Sequence, residues 1–180
     1  KISGCERSLI YRTALGTGFR ASELAALTRA SFDLDAAIIT LPASATKNRK
    51  GAVQPIAREL ADALRPLLTA KAPAAPAFNI PSSLDTADML RGDLETARAV
   101  WIAAATDPAD RAERAGSDFL RAETDAGRID FHALRHTFGS NLARAGIAPK
   151  VAMDLMRHCD VNLTMRLYSH TVVGERAAAL

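Results

Sequence analysis

Apolar residues recur along this chain with a helical period in most stretches and a two-residue period in a few, and the switches between them lay out its elements. Residues 6–16 carry Leu9, Ile10, Thr13 and Ala14 at helical spacing and run into the chain-reversing Gly16 and Gly18, which predicts a first helix. Ser22 to Leu27 predicts a second, short one beginning just after Arg20, so that arginine sits at a helix start, where backbone N–H groups also favour an anion. Ala37–Leu41 and Val53–Ile56 are rich in β-branched residues and read as strands, joined through Thr46-Lys47-Asn48-Arg49-Lys50-Gly51 into a hairpin with a basic tip. Helical periodicity returns over residues 57–69, and Pro73, Pro76 and Pro81 in an alanine-rich stretch then predict an irregular connector, the segment expected to be most flexible.

From Ser83, a helix-capping residue type, Leu90, Leu94, Ala97 and Trp101 recur at i, i+4, i+7 and i+11. That spacing predicts a long amphipathic helix ending near Thr106, with Trp101 as a core anchor. Residues 107–118 are charged and small without a period and read as a loop. Phe119–Ala122 and Arg128–Phe131 flank a turn-forming Thr124-Asp125-Ala126-Gly127 and predict a second hairpin.

His132–Ala145 reads as a helix with Phe131, Leu134, Phe138 and Leu142 as its buried stripe. At about 100° per residue, His132, Arg135, His136 and Gly139 gather on the other side, with Arg135 bordering the apolar face. Gly146 ends that helix, Pro149 opens the next, and Val151, Ala152, Leu155 and Met156 supply its core face. His158 follows at its end. Val161, Leu163, Met165 and Leu167 alternate as a strand would, but Asp160 favours a capped last helix carrying Tyr168. The fold class expected is α+β, mainly helical, with small β-hairpins.

A chain of 180 residues is the usual size of one domain. Hydrophobic content of 48% and charged content of 24% are those of an ordinary globular protein, and no apolar run approaches the roughly 18 residues of a membrane span. A membrane partner is not expected. Cys5 and Cys159 form no CxxC pair, which fits a reducing cytosol. The chain opens Lys-Ile-Ser-Gly without a signal-peptide pattern and reads as part of a longer polypeptide. Net charge is only +3, but it is unevenly placed: residues 1–83 hold 11 Lys/Arg against 6 Asp/Glu, residues 84–130 hold 6 against 11, and residues 131–170 hold 5 against 2. A polyanion is attracted to the flanking segments and repelled by the middle one, so the acidic stretch is expected to face away from nucleic acid.

A phosphodiester carries negative charge on its non-bridging oxygens, and nucleophilic attack builds more. Arginine suits that task because its guanidinium is always charged and its donors match two oxygens at once. Arg20 and Arg135, far apart in sequence, can grip one phosphate from two sides and act most strongly on the transition state. A phenol with a reference pKa near 10 is ionised in about one molecule in a thousand at neutral pH, so Tyr168 needs help to attack. His132 can take or orient its proton and His158 can hydrogen-bond the phosphate, provided the side chains converge. Lys47 on the hairpin tip suits protonation of a departing 5′ oxygen, with Lys50 the second choice, and Arg49 adds to the basic tip.

The ordered set Thr17-Gly18-Phe19-Arg20-Ala21-Ser22-Glu23-Leu24, His132-Ala133-Leu134-Arg135, His158-Cys159-Asp160 and Arg166-Leu167-Tyr168-Ser169-His170 resembles the catalytic domain of a tyrosine recombinase of the phage-integrase family, from about Tyr11 to His170. The resemblance implies the DNA breaking-rejoining catalytic fold, with Arg20, Lys47, His132, Arg135, His158 and Tyr168 as the active site. It implies that Tyr168 attacks DNA to give a 3′-phosphotyrosine and a free 5′-hydroxyl, with neither cofactor nor metal, in DNA integration or recombination. The implied partner is a double-stranded recombination site in the bacterial cytoplasm, with association at the nucleoid. Full-length members assemble as tetramers on paired sites, and a free fragment can be monomeric. Residues 1–180 would then be a C-terminal catalytic domain, the N-terminal core-binding domain lying outside this chain. Glu23 occupies an acidic position three residues after the first arginine and is expected to support local structure. Arg157 stands where glycine is frequent and is expected as a further phosphate contact, beside Arg49 and Lys50.

Three other functions compete. A zinc hydrolase would use the i, i+4 pair His132 and His136, but Ala133 replaces the glutamate of HExxH and no third ligand cluster is evident. A noncatalytic DNA-binding module needs only the basic surface. A type IB topoisomerase shares the tyrosine chemistry and differs in relaxing DNA rather than joining two sites.

Overall fold

Ser3 accepts the backbone N–H of Glu6 at 3.1 Å and so caps helix α1, Gly4–Thr17. The computed structural model describes residues 2–46, 51–81, 83–125 and 127–176, which fall into two units, one built from residues 1–80 and 134–180 and the other from 81–133. In the first, α1 buries Ile10 and Ala14 and packs on α3, Arg58–Thr69, where Leu60, Ala61, Leu64 and Leu68 fall at i, i+1, i+4 and i+8 and are buried. Between them lie the single-turn helix α2, Ala21–Ala25, and a three-stranded antiparallel sheet of β1 (Phe32–Asp33), β2 (Ile38–Leu41) and β3 (Ala52–Pro55) in that order. Ile39 and Leu41 of β2 are fully buried. Ile39 pairs with Gln54, and residues directly opposite across a ladder project to one face, so a polar side chain is carried to the inner side of the sheet.

The first unit is completed by α6 (His132–Arg144), whose first two residues belong to the other unit, α7 (Pro149–Met156) and α8 (Val161–Arg176). Gly139 allows these last helices to approach α6: a Cβ there would stand 2.5 Å from Leu167 Cδ1 and 2.6 Å from Met156 Sδ. Asp160 accepts the Asn162 N–H at 2.9 Å at the start of α8, and the helix, not the strand its alternation permits, is formed. Three of the four apolar members of that alternation, Val161, Leu163 and Met165, are exposed, and Leu167 is half-buried.

The second unit holds α4 (Ser83–Ala103), α5 (Pro108–Gly116) and a two-residue ladder, β4 (Glu123–Thr124) with β5 (Gly127–Arg128). Arg114 joins its helices, donating from Nη1 to the Trp101 carbonyl at 2.7 Å and pairing with Asp110 at 2.8 Å, with its guanidinium 5.4 Å from the Trp101 ring centre. Trp101 meets Phe119 edge-on at 4.9 Å. It is half-buried, against that ring and guanidinium, rather than set in a closed core. No helix among the described residues is long and apolar enough to cross a membrane.

Four expectations are corrected. Residues 107–118 are largely α5 and not a loop: Asp107 accepts the N–H groups of Ala109 and Asp110, Pro108 takes the first turn and Arg114–Asp110 adds an i, i+4 pair, so capping starts a helix that has no buried residue. The proline-rich connector is tied down, with Ala77 N–H donating to Leu27 O at 2.8 Å, Arg29 N–H to Ala75 O at 2.9 Å and Ala30 N–H to Pro73 O at 2.9 Å; Ala77 and Phe78 are buried. Proline lacks a donor but keeps its carbonyl, and here the carbonyls of Pro73 and Ala75 together with the Ala77 N–H hold the segment. The second hairpin is shorter and nearer its turn than its apolar flanks suggested. Val151 is half exposed, leaving Ala152 and Met156 as the buried face of α7.

Candidate active site

The turn after α1 delivers the first arginine. Gly18 takes a left-handed conformation (φ 63°) with its N–H donating to Ala14 O at 2.8 Å, and a Cβ there would lie 2.5 Å from Phe138 Cδ1 on α6. Only glycine meets both conditions. Arg20 then opens α2 with its side chain 39% exposed. Its backbone N–H donates to Glu23 Oε2 at 2.9 Å and its Nη1 to Glu23 Oε1 at 2.8 Å, so the carboxylate, itself buried, satisfies the helix start and aims the guanidinium.

Arg135 lies one turn into α6 and is 2% exposed. It donates from Nη1 to the Gly18 carbonyl and from Nη2 to the Met156 carbonyl, joining the α1–α2 turn to the end of α7. Burial, followed by the charges of Arg20 and Arg157, pushes its pKa down to about 10; it stays cationic at neutral pH, in a place where a bound anion relieves the mutual repulsion.

Arg157 ends α7 in the left-handed region (φ 54°, ψ 39°), a conformation that costs a residue with a side chain roughly 1–2 kcal/mol and glycine nothing. Its side chain turns inward, where Nη2 pairs with Glu23 Oε2 at 3.1 Å and reaches Gly18 O at 3.2 Å. Nη1 donates to Gln54 Oε1 and Leu155 O, each at 3.0 Å. The guanidinium lies 4.5 Å from the Phe19 ring centre, and burial lowers its pKa. The sequence reading expected a phosphate contact here; the side chain is instead 9% exposed and engaged with protein groups.

His158 follows immediately. Its Nδ1 is 2.9 Å from Thr164 Oγ1, leaving Nε2 as the other ring atom for an outside partner. Its pKa falls to about 4, through burial first and then the charges of Arg135, Arg20, Arg157 and His136. One imidazole thus feels cations contributed by the α1–α2 turn, α6 and the α7–α8 turn. Tyr168, on α8, is half-buried and donates its hydroxyl to the Ile147 carbonyl in the α6–α7 turn; burial raises its pKa. The phenol is therefore held protonated, with its oxygen on a backbone acceptor. His132 is the exposed first residue of α6, one turn before Arg135. Lys47, Arg49 and Lys50 lie outside the described residues. Among the described residues no His/Cys/Asp/Glu group has the arrangement of a metal site.

Arg20, Arg135 and His158 are thus brought to one place, with Glu23 and Arg157 beneath them. Gln54 and Thr164 are the supporting groups that the sequence reading missed. Neither had a signal in the sequence: the apolar Val53 is the more natural inward position, and it is the pairing with Ile39 that turns Gln54 inward, while Thr164 is fully buried six residues after His158. The arrangement offers an oxyanion the part-exposed guanidinium of Arg20 and a neutral imidazole, with the cation of Arg135 buried behind them on two backbone carbonyls, and a tyrosine stands on a neighbouring helix.

The chain belongs to the phage integrase family, whose profile matches residues 2–174. It is 26% identical over 176 residues to the tyrosine recombinase XerD of Brucella suis biovar 1 (strain 1330), covering 98% of this chain and 51% of that protein. The crystal structure of XerA recombinase superposes with a TM-score of 0.63 at 21% identity, over 93% of this chain and 54% of the other. XerH site-specific recombinase, solved in a post-cleavage complex with its palindromic difH substrate, superposes with a TM-score of 0.62 at 18% identity, over 100% of this chain and 48% of the other. The fold is that of tyrosine recombinase catalytic domains, and the chain spans about half the length of these relatives.

Proposed function

We propose that this chain is the catalytic domain of a site-specific DNA recombinase acting through Tyr168. The observation that carries this reading is the shared anchoring of Arg20 and Arg135, residues far apart in the chain: Arg157, immediately before His158, lies 3.1 Å from the Glu23 carboxylate that holds Arg20 and 3.2 Å from the Gly18 carbonyl that holds Arg135, in a member of the phage integrase family. Arg20 and Arg135 grip the non-bridging oxygens of the scissile phosphate, and His158 donates a hydrogen bond from Nε2. Tyr168 leaves the Ile147 carbonyl and passes its proton to a base, the role assigned to His132. A phenolic O–P bond forms as the bond from phosphorus to the 5′ oxygen breaks, and Lys47 protonates the departing oxygen, with Lys50 the second choice. The 3′-phosphotyrosine keeps the bond energy, and a 5′-hydroxyl from another strand reverses the step. Arg49 and Lys50 contact the DNA backbone. The full-length protein adds a core-binding domain before this one, forms a homotetramer on paired sites and works in the bacterial cytoplasm, at the nucleoid when bound.

Nicked suicide duplexes with randomised flanks test the reading. The chain is expected to be trapped covalently on the 3′ side of the break, and Tyr168→Phe to abolish the adduct. An undiminished adduct in that variant refutes the assignment of Tyr168.

A further inference from the structure

Among the charged groups beneath the site, Arg157 has no part in the reaction as described, yet it touches both supports of the two gripping arginines. The Gly18 carbonyl accepts from Arg135 Nη1 and also from Arg157 Nη2. The Glu23 carboxylate accepts from Arg20 Nη1 and the Arg20 N–H, and also from Arg157 Nη2 at 3.1 Å. A third tie, to Gln54 Oε1 at 3.0 Å, reaches β3, and the guanidinium carbon lies over the Phe19 ring, 4.5 Å from its centre. The residue stands at φ 54° immediately before His158, a backbone state that glycine adopts freely. Its Nε is buried with no hydrogen-bond partner. The chain therefore keeps a large cation at a strained position with one donor unsatisfied, and the groups it holds are those that aim Arg20 and Arg135.

We propose that Arg157 is a positioning residue, a buried tie that fixes the Glu23 carboxylate and the Gly18 carbonyl and thereby the placement of Arg20, Arg135 and the adjoining His158. It touches no substrate. Arginine is required because a planar fork can serve a carboxylate and several carbonyls at once, which a lysine ammonium does less well.

The inference rests on the recombinase reading for its catalytic arm, and a second arm is independent of it. In Arg157→Gly the backbone relaxes while Arg20 still pairs Glu23, so the variant is expected to fold with a cooperative transition. With the nicked duplexes, its maximal rate of adduct formation is expected to drop by about 10- to 100-fold, while the half-saturating DNA concentration moves less than about threefold and the salt slope of binding is unchanged; Arg157→Lys should recover part of the rate. Without DNA, amide hydrogen exchange at Arg20, whose N–H is held by Glu23, is expected to quicken in Arg157→Gly. Wild-type maximal rate in the folded glycine variant overturns the proposal. So does a salt slope reduced by about 0.9, the signature of one lost phosphate contact. If the unaltered chain gives no adduct, the recombinase reading fails, and the exchange arm alone decides: unchanged exchange at Arg20 refutes the tie. An Arg157→Gly chain that does not fold transfers both arms to Arg157→Lys, which overturns the proposal by matching the unaltered chain in both.

Discussion

Glu23 shows how one buried carboxylate organises several cations. It is 2% exposed and accepts from Arg20 and Arg157, and a buried ion pair that loses one partner leaves an uncompensated charge. Glu23→Ala is therefore expected to lower stability by about 3–5 kcal/mol, measured by urea denaturation, whereas an exposed pair such as Lys150–Asp154 is worth roughly 0–1 kcal/mol. His158 makes a pH prediction. Its folded pKa near 4 lies below the ordinary histidine value of 6.5, so between those values the unfolded chain binds a proton that the folded chain does not. Its contribution to stability is fully present above about pH 6.5 and is lost as pH falls towards 4. His158→Gln should flatten that part of the decline, read from urea midpoints at pH 7, 5.5 and 4.5; an unaltered slope in the variant counts against the buried, cation-flanked imidazole. The types of these residues were readable in advance, but the direction of Arg157 was not. Nothing local distinguishes a guanidinium reaching for DNA from one reaching for a carboxylate 134 residues away in the chain.

At the scale of elements, the helices were legible where an apolar stripe met a cap or a glycine. The first helix, the one that carries Arg135 and the one that ends before His158 all lie within a few residues of their expected bounds. Elements without a buried stripe were not legible, and α5 is the example, because capping and an ion pair leave no period to read. The close approach of α6, α7 and α8 depends on Gly139. Gly139→Ala would push a methyl group against Leu167 and Met156, side-chain ends that can yield, so the expected loss is about 1–3 kcal/mol. Because Leu167 adjoins Tyr168, slower adduct formation should accompany that loss. Denaturation curves and the trapping assay on one preparation check it, and a fully stable, fully active alanine variant would show that α8 does not need this close seat.

For the whole molecule, binding and chemistry separate by experiment. Affinity for duplex DNA is expected to fall with salt by about 0.9 log units per neutralised phosphate for each log unit of salt, whether or not Tyr168 is present, while adduct formation requires Tyr168 and survives chelation of divalent metals. Titrating the chain and Tyr168→Phe on one duplex over a range of salt, with and without chelator, checks both halves. Taken alone, the sequence determined which residue types are present, their order along the chain and most of the helices, because periodicity and capping act over a few neighbouring residues. It also carried the resemblance that the family match bears out. Only the tertiary structure decided which groups meet: that Arg135 is buried between two backbone carbonyls, that Arg157 points inward, and that the Tyr168 hydroxyl rests on Ile147. Those outcomes depend on chain closure over long separations and on which buried polar group lacks a partner, and a window of neighbouring residues contains neither.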